Sequence, residues 1–439
     1  MQIDRNSWRF GVLAAALGVG AMVLPTGMTA QPSPARRQVT FAKDIAPILQ
    51  RSCQDCHRPG QMAPMSLLTY EDARPWARSM RLQVTKREMP PWYVDRTVGI
   101  QHFKNDRSLS DEEIATVQAW VDAGAPQGNP ADMPSPRQFN DDAKWTMGEP
   151  DLIVTSPAFT VAAEGPDYWA DVYVDNPLKE DRYIQSVETK PSKDGFLVNH
   201  HALLFDRNNE QGLSHYTPGK TVDVYPTGTG RLLEAGGQLR FNLHYHSNGT
   251  QVVDQVRVAF KFFPKGYVPK YKYAGNFGVS NNDLDIPAGA KNVRADGYRV
   301  LDRNIMLTSY FPHMHARGTR QCLEAIYQTG QVETISCVGW NFLWQIPYTY
   351  ADGAQPLLPK GTVLHTISFY DNSSSSSYNP DPENWAGYGQ RTQDDMSATI
   401  MSGLDLTDEQ YAELAQARRQ ARTSGQQRAE GGARPAARQ

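Results

Sequence analysis

Ser309-Tyr310-Phe311-Pro312-His313-Met314-His315-Ala316-Arg317-Gly318 is an extended stretch in which aromatic residues lead into two histidines one position apart. On a β-strand, side chains two apart project from the same face. His313 and His315 can therefore offer their imidazoles to one metal ion while Met314 points away. Two similar runs precede it. Phe196-Leu197-Val198-Asn199-His200-His201-Ala202-Leu203-Leu204-Phe205 carries an adjacent pair, and Phe241-Asn242-Leu243-His244-Tyr245-His246-Ser247-Asn248-Gly249 carries another His-x-His. Six of the ten histidines sit in these three strand-like runs. One such run alone reads as structural; three together read as metal-binding, because neutral imidazole is the commonest metal ligand among side chains.

Around these runs the composition is that of a β-rich chain. Its 439 residues exceed one ordinary core and predict roughly two to four domains. The 34 Gly and 30 Pro, spread through segments rich in tyrosine and valine, predict many strands and turns. A formal net charge of −3 leaves no electrostatic footprint for a nucleic-acid partner. Arg5 and Arg9, an apolar run from about Phe10 to Leu24, and small residues ending at Thr29-Ala30 have the order of a secretory signal peptide. That run is short for a membrane span. The expectation is a periplasmic or secreted bacterial protein that begins near Gln31 and keeps no stable membrane span once the signal, residues 1–30, is cleaved.

Phe41 to Gln50 reads as a helix leading into Cys53-Gln54-Asp55-Cys56-His57. This is the c-type haem attachment spacing: two thiols bond the porphyrin vinyl groups and the following histidine, His57, is the proximal iron ligand. A thioredoxin-type pair needs no histidine, and a zinc half-site needs a second cysteine pair. Met62, Met65, Met80 and Met89 are candidates for the distal ligand. Met89 is preferred, because Met89-Pro90-Pro91-Trp92 follows a helical stretch from Glu71 to Val84 and its prolines hold the backbone extended. Ser110-Asp111-Glu112-Glu113, then Ile114, Val117, Trp120 and Val121, predict a capped amphipathic helix closing an all-α cytochrome c domain over 38–130.

A linker rich in Pro, Asn and Asp, 131–145, leads into short β-type runs such as Trp169-Ala170-Asp171-Val172-Tyr173-Val174 and Val256-Arg257-Val258-Ala259-Phe260. They predict two all-β sandwich domains in series, 146–270 and 271–406. If Thr329-Gly330 is a two-residue hairpin turn, Cys322 and Cys337 fall opposite one another. In an oxidising compartment they form a disulfide. The tail, 407–439, reads as a helix that becomes disordered after about Thr423.

Adjacent strand histidines face opposite ways, so His200 and His201 share an ion only if the strand is bulged or strongly twisted there; His244 or His246 can supply the third ligand. His313 and His315 need a partner too. The polar run from Asp371 leads to Gln393-Asp394-Asp395-Met396, whose thioether is a soft donor favouring Cu(I). His102, His215 and His365 have no second ligand nearby in sequence and read as structural.

Four motifs, His200-His201, His244-Tyr245, His313-Met314-His315 with Gly318, and Asp395-Met396, stand in the order in which the copper type II ascorbate-dependent monooxygenases carry them. That family includes peptidylglycine alpha-hydroxylating and dopamine beta-monooxygenases, and the resemblance covers roughly residues 145 to 405. The whole chain resembles bacterial proteins that fuse a cytochrome c domain to such a module, on Cys53 to Gly60, Ala63-Pro64-Met65, Met89-Pro90-Pro91-Trp92 and Gly124-Ala125-Pro126. The resemblance implies two jelly-roll-like sandwiches facing across a solvent-filled gap with two copper ions. His200, His201 and His244 would hold the electron-transfer copper, with His246 outside its first ring of ligands; His313, His315 and Met396 would hold the copper that meets O2. It implies hydroxylation of a C–H bond in a small organic substrate with electrons from ascorbate, which the one covalent, tethered haem c is expected to replace or supplement, with a periplasmic donor as a further source. Peptide-amidating members carry an arginine two residues before the His-x-His and a tyrosine four after the methionine, which hold a substrate carboxylate. This chain has Phe311 and Ile400 there, which implies a less charged substrate. The competing readings are a non-catalytic exported redox or copper-binding protein, which shares every ligand, and a zinc hydrolase, which needs an acid or base beside the histidines.

Overall fold

Residues 38–61, 63–139, 144–207, 211–217, 220, 222–391 and 393–431 are described by a computed structural model. The signal-peptide stretch, 1–30, and Met62 lie outside the described residues. A π-helical turn, Phe41–Ile45, runs into α1 (Ala46–Ser52); α2 (Ala77–Thr85) and α3 (Asp111–Asp122) follow. Ser110 caps α3 as its sequence predicts: its hydroxyl accepts from the Glu113 N–H while the Glu113 side chain accepts from the Ser110 N–H. The apolar face of α3, Ile114, Val117 and Trp120, packs with Phe41, Ile45, Leu49 and Met80 into one cluster. Each large apolar side chain buried there contributes about 1.5–3 kcal/mol.

Between α2 and α3 the chain leaves this cluster. Trp92, Val94, Ile100 and Phe103 pack into the core of the carboxy-terminal β-rich region. The amides of Asp95 and Ile100 donate to the carbonyls of Cys337 and Ile335. Gly99 makes the approach possible: its φ is +68°, and an added Cβ would stand 2.5 Å from the Ile335 carbonyl oxygen.

Most of the remainder is β-sheet, and every strand pairing is antiparallel among the described residues. The first β-rich region sets a five-stranded sheet built on Arg182–Lys190 and Arg257–Phe262 against a four-stranded one. The four-stranded sheet contains β1 (Tyr168–Asp175), β2 (Asn199–Asp206), β3 (Gln211–Tyr216) and β4 (Gln238–Tyr245), in the order β1-β4-β2-β3. Ile184, Val187, Val258 and Phe260 of one sheet meet Leu204, Leu239, Phe241 and Leu243 of the other, which is the packing of a sandwich.

The second β-rich region repeats the arrangement. Its five-stranded sheet includes β5 (Asn304–His313) and β9 (Ser397–Leu406), and its four-stranded sheet includes β6 (Gly318–Ile326), β7 (Val332–Gly339) and β8 (Val363–Asp371). Leu307, Tyr310 and Met401 of the first interlock with Leu323, Ile335 and Leu364 of the second. Cys322 and Cys337 are register partners on β6 and β7 and form a disulfide. The hairpin differs from its sequence reading. Tyr327 pairs with Gln331 across three residues ending in Gly330 at φ +83°, and a bulge at Leu323/Glu324 restores the register that faces the cysteines.

The terminal helix, α4 (Asp408–Gly431), continues past Thr423, in keeping with the helix propensity of its Ala, Gln and Arg residues. Among the described residues no helix is long and apolar enough to cross a membrane.

Candidate metal centres

On β2 the side chains of Ala202, Leu204 and Asp206 are buried in the sandwich, and His201, Leu203 and Phe205 alternate to the outer face. Strict alternation would send His200 inward. Instead the register slips between Asn199 and His201, so that Asn199 pairs with Tyr245 and His201 with His244. This bulge turns both His200 and His201 outward, as their sharing of an ion requires. His200 Nδ1 and His244 Nδ1 lie 3.4 and 3.3 Å from His201 Nδ1. Ligand atoms about 2.0–2.1 Å from one centre, at trigonal or tetrahedral angles, stand about 3.3–3.6 Å apart, so the three imidazoles fit one ion. Burial lowers the His200 ring to about 4 and holds His201 well below its ordinary value. At neutral pH both keep the lone pairs that a metal takes.

Asp167, just before β1, holds this cluster from behind. One carboxylate oxygen is 3.0 Å from His244 Nε2 and the other 2.7 Å from His246 Nδ1. With Nε2 engaged, His244 presents Nδ1 to the other two rings. The His244 ring beside it lowers the Asp167 carboxyl to about 2. Trp169 stacks on His244 with centroids 3.8 Å apart. His246 thus stands behind Asp167, outside the three converging rings.

The second histidine set lies where β5 ends. His313 is the last residue of the strand, and His315 lies just beyond it; their rings are 5.4 Å apart and nearly perpendicular. Gln345 Oε1 is 3.2 Å from His313 Nδ1 and the Asp394 carbonyl is 3.2 Å from His315 Nδ1, which leaves both Nε2 atoms for a ligand. His313 pairs with Ala398 on β9, two residues after Met396. The fully buried Asp395 ties these segments together. Its Oδ1 accepts from the backbone amides of both His315 and Met396, and its Oδ2 from that of Arg317. Two imidazoles joined by a thioether would be a donor set suited to Cu(I).

One loop, 340–347, reaches both sets: the Leu343 backbone bonds the His200 ring and Gln345 meets His313. The two outer sheet faces also line a cleft of about 1240 Å³. Leu203, Phe205 and His215 come from one wall and Met306, Phe311 and Ile400 from the other. Phe311 and Ile400 are cross-strand partners, and the Phe311 ring is 6.3 Å from that of His313.

Near the amino terminus, Cys53 and Cys56 are free thiols, and burial raises Cys53 to about 12. His57 Nδ1 lies 3.3 Å from the Met65 carbonyl oxygen, leaving Nε2 for an iron. These residues fit a covalent haem. Met65 is thereby placed on the His57 side, Met80 is packed in the helical core, and Met89 borders a cavity of about 720 Å³ with Trp92 and Leu109.

Asp167, Gln345 and the anchoring role of Asp395 escape a sequence reading, because each meets its histidine only across a sheet or from a distant loop. His365 lies between Asp296 and Glu324 at 2.7 and 3.1 Å, a structural setting. His102 is exposed. His215, read as structural, lines the cleft.

No protein-family model matches the chain, and no curated protein does. A solved structure of PBSX exported protein XepA is 10% identical and aligns over 53% of this chain and 99% of its own, with a TM-score of 0.15.

Proposed function

We propose that this chain is an exported copper- and haem-dependent monooxygenase, resembling the copper type II ascorbate-dependent monooxygenases joined to a cytochrome c domain, that hydroxylates a C–H bond of a small organic substrate with O2. The observation that carries the reading is the convergence of His200, His201 and His244 Nδ1 on the sheet whose Leu203, Phe205 and His215 line the cleft, while Phe311 of the opposite wall has its ring 6.3 Å from that of His313. When bound, copper would supply one-electron transfer and an open position for oxygen, and haem c on Cys53, Cys56 and His57, with Met89 as distal ligand, would supply electrons.

The residues divide the remaining work. His200, His201 and His244 form the electron-transfer site, and Asp167 fixes the His244 tautomer. His313, His315 and Met396 form the oxygen site, and Asp395 holds the last two in register. Phe311 and Ile400 give the cleft an apolar end. The haem motif is tethered to the β-rich regions in one chain, which raises the effective concentration of the electron donor. All-α and jelly-roll descriptions of the three regions belong to this reading, as does the periplasmic or secreted location.

Metal analysis of the full chain, with oxygen uptake under reductant, tests it. Two copper ions per chain are expected, one lost in His244→Ala and the other in His315→Ala, with oxygen uptake abolished in both. Stoichiometric zinc without copper, or uptake unchanged by His315→Ala, refutes the oxygenase. Copper bound in full but no product from any substrate would favour the electron-transfer alternative.

A further inference from the structure

The cleft carries its own chemical signature, apart from the metal ligands. Its walls include Phe205, Tyr225, Tyr273 and Phe311 among smaller polar and aliphatic residues, so a ligand meets aromatic rings on both sides. The charged groups in it are engaged within the chain. Lys220 is paired with Asp223, Lys104 with Asp352 at 2.8 Å, and Arg231 lies over the Tyr273 ring at 4.1 Å while sharing the charge of Asp223. A carboxylate or ammonium entering here would lose its water without gaining an unpaired partner, which is costly.

Among the described residues, His215 Nε2 is buried and has no hydrogen-bond partner. Its ring lies nearly parallel to that of Phe311 on the opposite wall, with centroids 6.3 Å apart. A buried polar atom without a partner is destabilising, a cost that a ligand with one matching group removes. Burial, ahead of the Lys220 charge, lowers the His215 ring to about 3, so at neutral pH it offers a hydrogen bond without a charge.

We propose that the cleft binds an uncharged aromatic molecule bearing a hydroxyl or amide, with that polar group on His215 Nε2 and its ring against Phe311 and Ile400. His215 is then the specificity-determining residue of the cleft. Phe311, against which the ligand's ring would lie, has its own ring 6.3 Å from that of His313. Binding stands on the cleft alone; only the ligand's role as the substrate rests on the oxygenase reading.

Fluorine NMR with 4-fluorophenol and its anionic counterpart 4-fluorobenzoate tests this on the full chain, metal-free and copper-loaded. The phenol is expected to bind saturably and the benzoate at least tenfold more weakly. His215→Phe, which keeps a ring but removes the nitrogen, should weaken the phenol at least tenfold, and His215→Gln should restore part of the loss. Should His215→Phe fail to fold, Phe311→Arg carries the test, because a cation placed there should reverse the preference toward benzoate. Equal binding of the two probes, no binding of either, or phenol affinity unchanged in the folded variants overturns the proposal. Because the readout needs no turnover, phenol binding by an inactive protein would remove the oxygenase and leave this inference. Copper-dependent oxygen uptake without phenol binding would do the reverse.

Discussion

Asp167 and Asp395 do for the histidines what neither His-x-His spacing nor the adjacent pair can do alone. Asp167→Asn should weaken copper at His200, His201 and His244 by about 10–100-fold, since the carboxylate that orients His244 is lost. Competition with a chromophoric chelator would show it, and an equal loss at His313 and His315 would contradict the assignment. Asp395 accepts three backbone bonds through its two oxygens, and Asp395→Asn puts an NH2 donor against at least one of those N–H groups, so at least one bond worth about 1.5–3 kcal/mol is lost. The expected result is a lower melting temperature and loss of copper from the His313 set alone. The histidines themselves were legible, because strand period two ties His313 to His315 by spacing. Asp167 was not: it lies 77 positions from His244, and only strand pairing brings them together.

At the level of elements, irregularities matter more than the regular strands. The slip between Asn199 and His201 decides whether an adjacent histidine pair can converge, and strand pattern required the bulge without locating its cause. The β6–β7 hairpin reached the foreseen pairing of Cys322 with Cys337 by another route, a three-residue turn compensated by a bulge. With a sequence separation of 15 between the cysteines, Cys322→Ser with Cys337→Ser should cost about 3 kcal/mol, read as a fall in melting temperature matched by adding reductant to the native chain. Gly99→Ala should cost about 1–3 kcal/mol, since the residue is left-handed and closely packed against Ile335. Faster hydrogen exchange at Asp95 and Ile100, with the α3 amides unchanged, would show that only the docked segment loosens.

Over the whole molecule, one outer sheet face of each β-rich region lines the cleft, and burial there has a pH signature. The His215 ring is lowered to about 3 in the folded chain from 6.5, so between those values the unfolded chain binds the extra proton. Stability therefore decreases as pH falls from 6.5 toward 3 and is independent of this group above that window. The metal-free chain should lose more melting temperature between pH 7.5 and 5 than His215→Phe does; equal losses would show that the ring is not held neutral. The sequence by itself determined the attachment motif, the capped helix, the abundance of short strands and three histidine-bearing runs, because each is encoded within about a dozen neighbouring residues. Tertiary structure alone decided that segment 92–103 joins the second β-rich region's core, that Asp167 stands behind His244, and that His215 faces Phe311. The physical reason is range: periodicity and capping act between neighbours along the chain, whereas a cleft and its unpaired nitrogen exist only after sheets distant in sequence have packed.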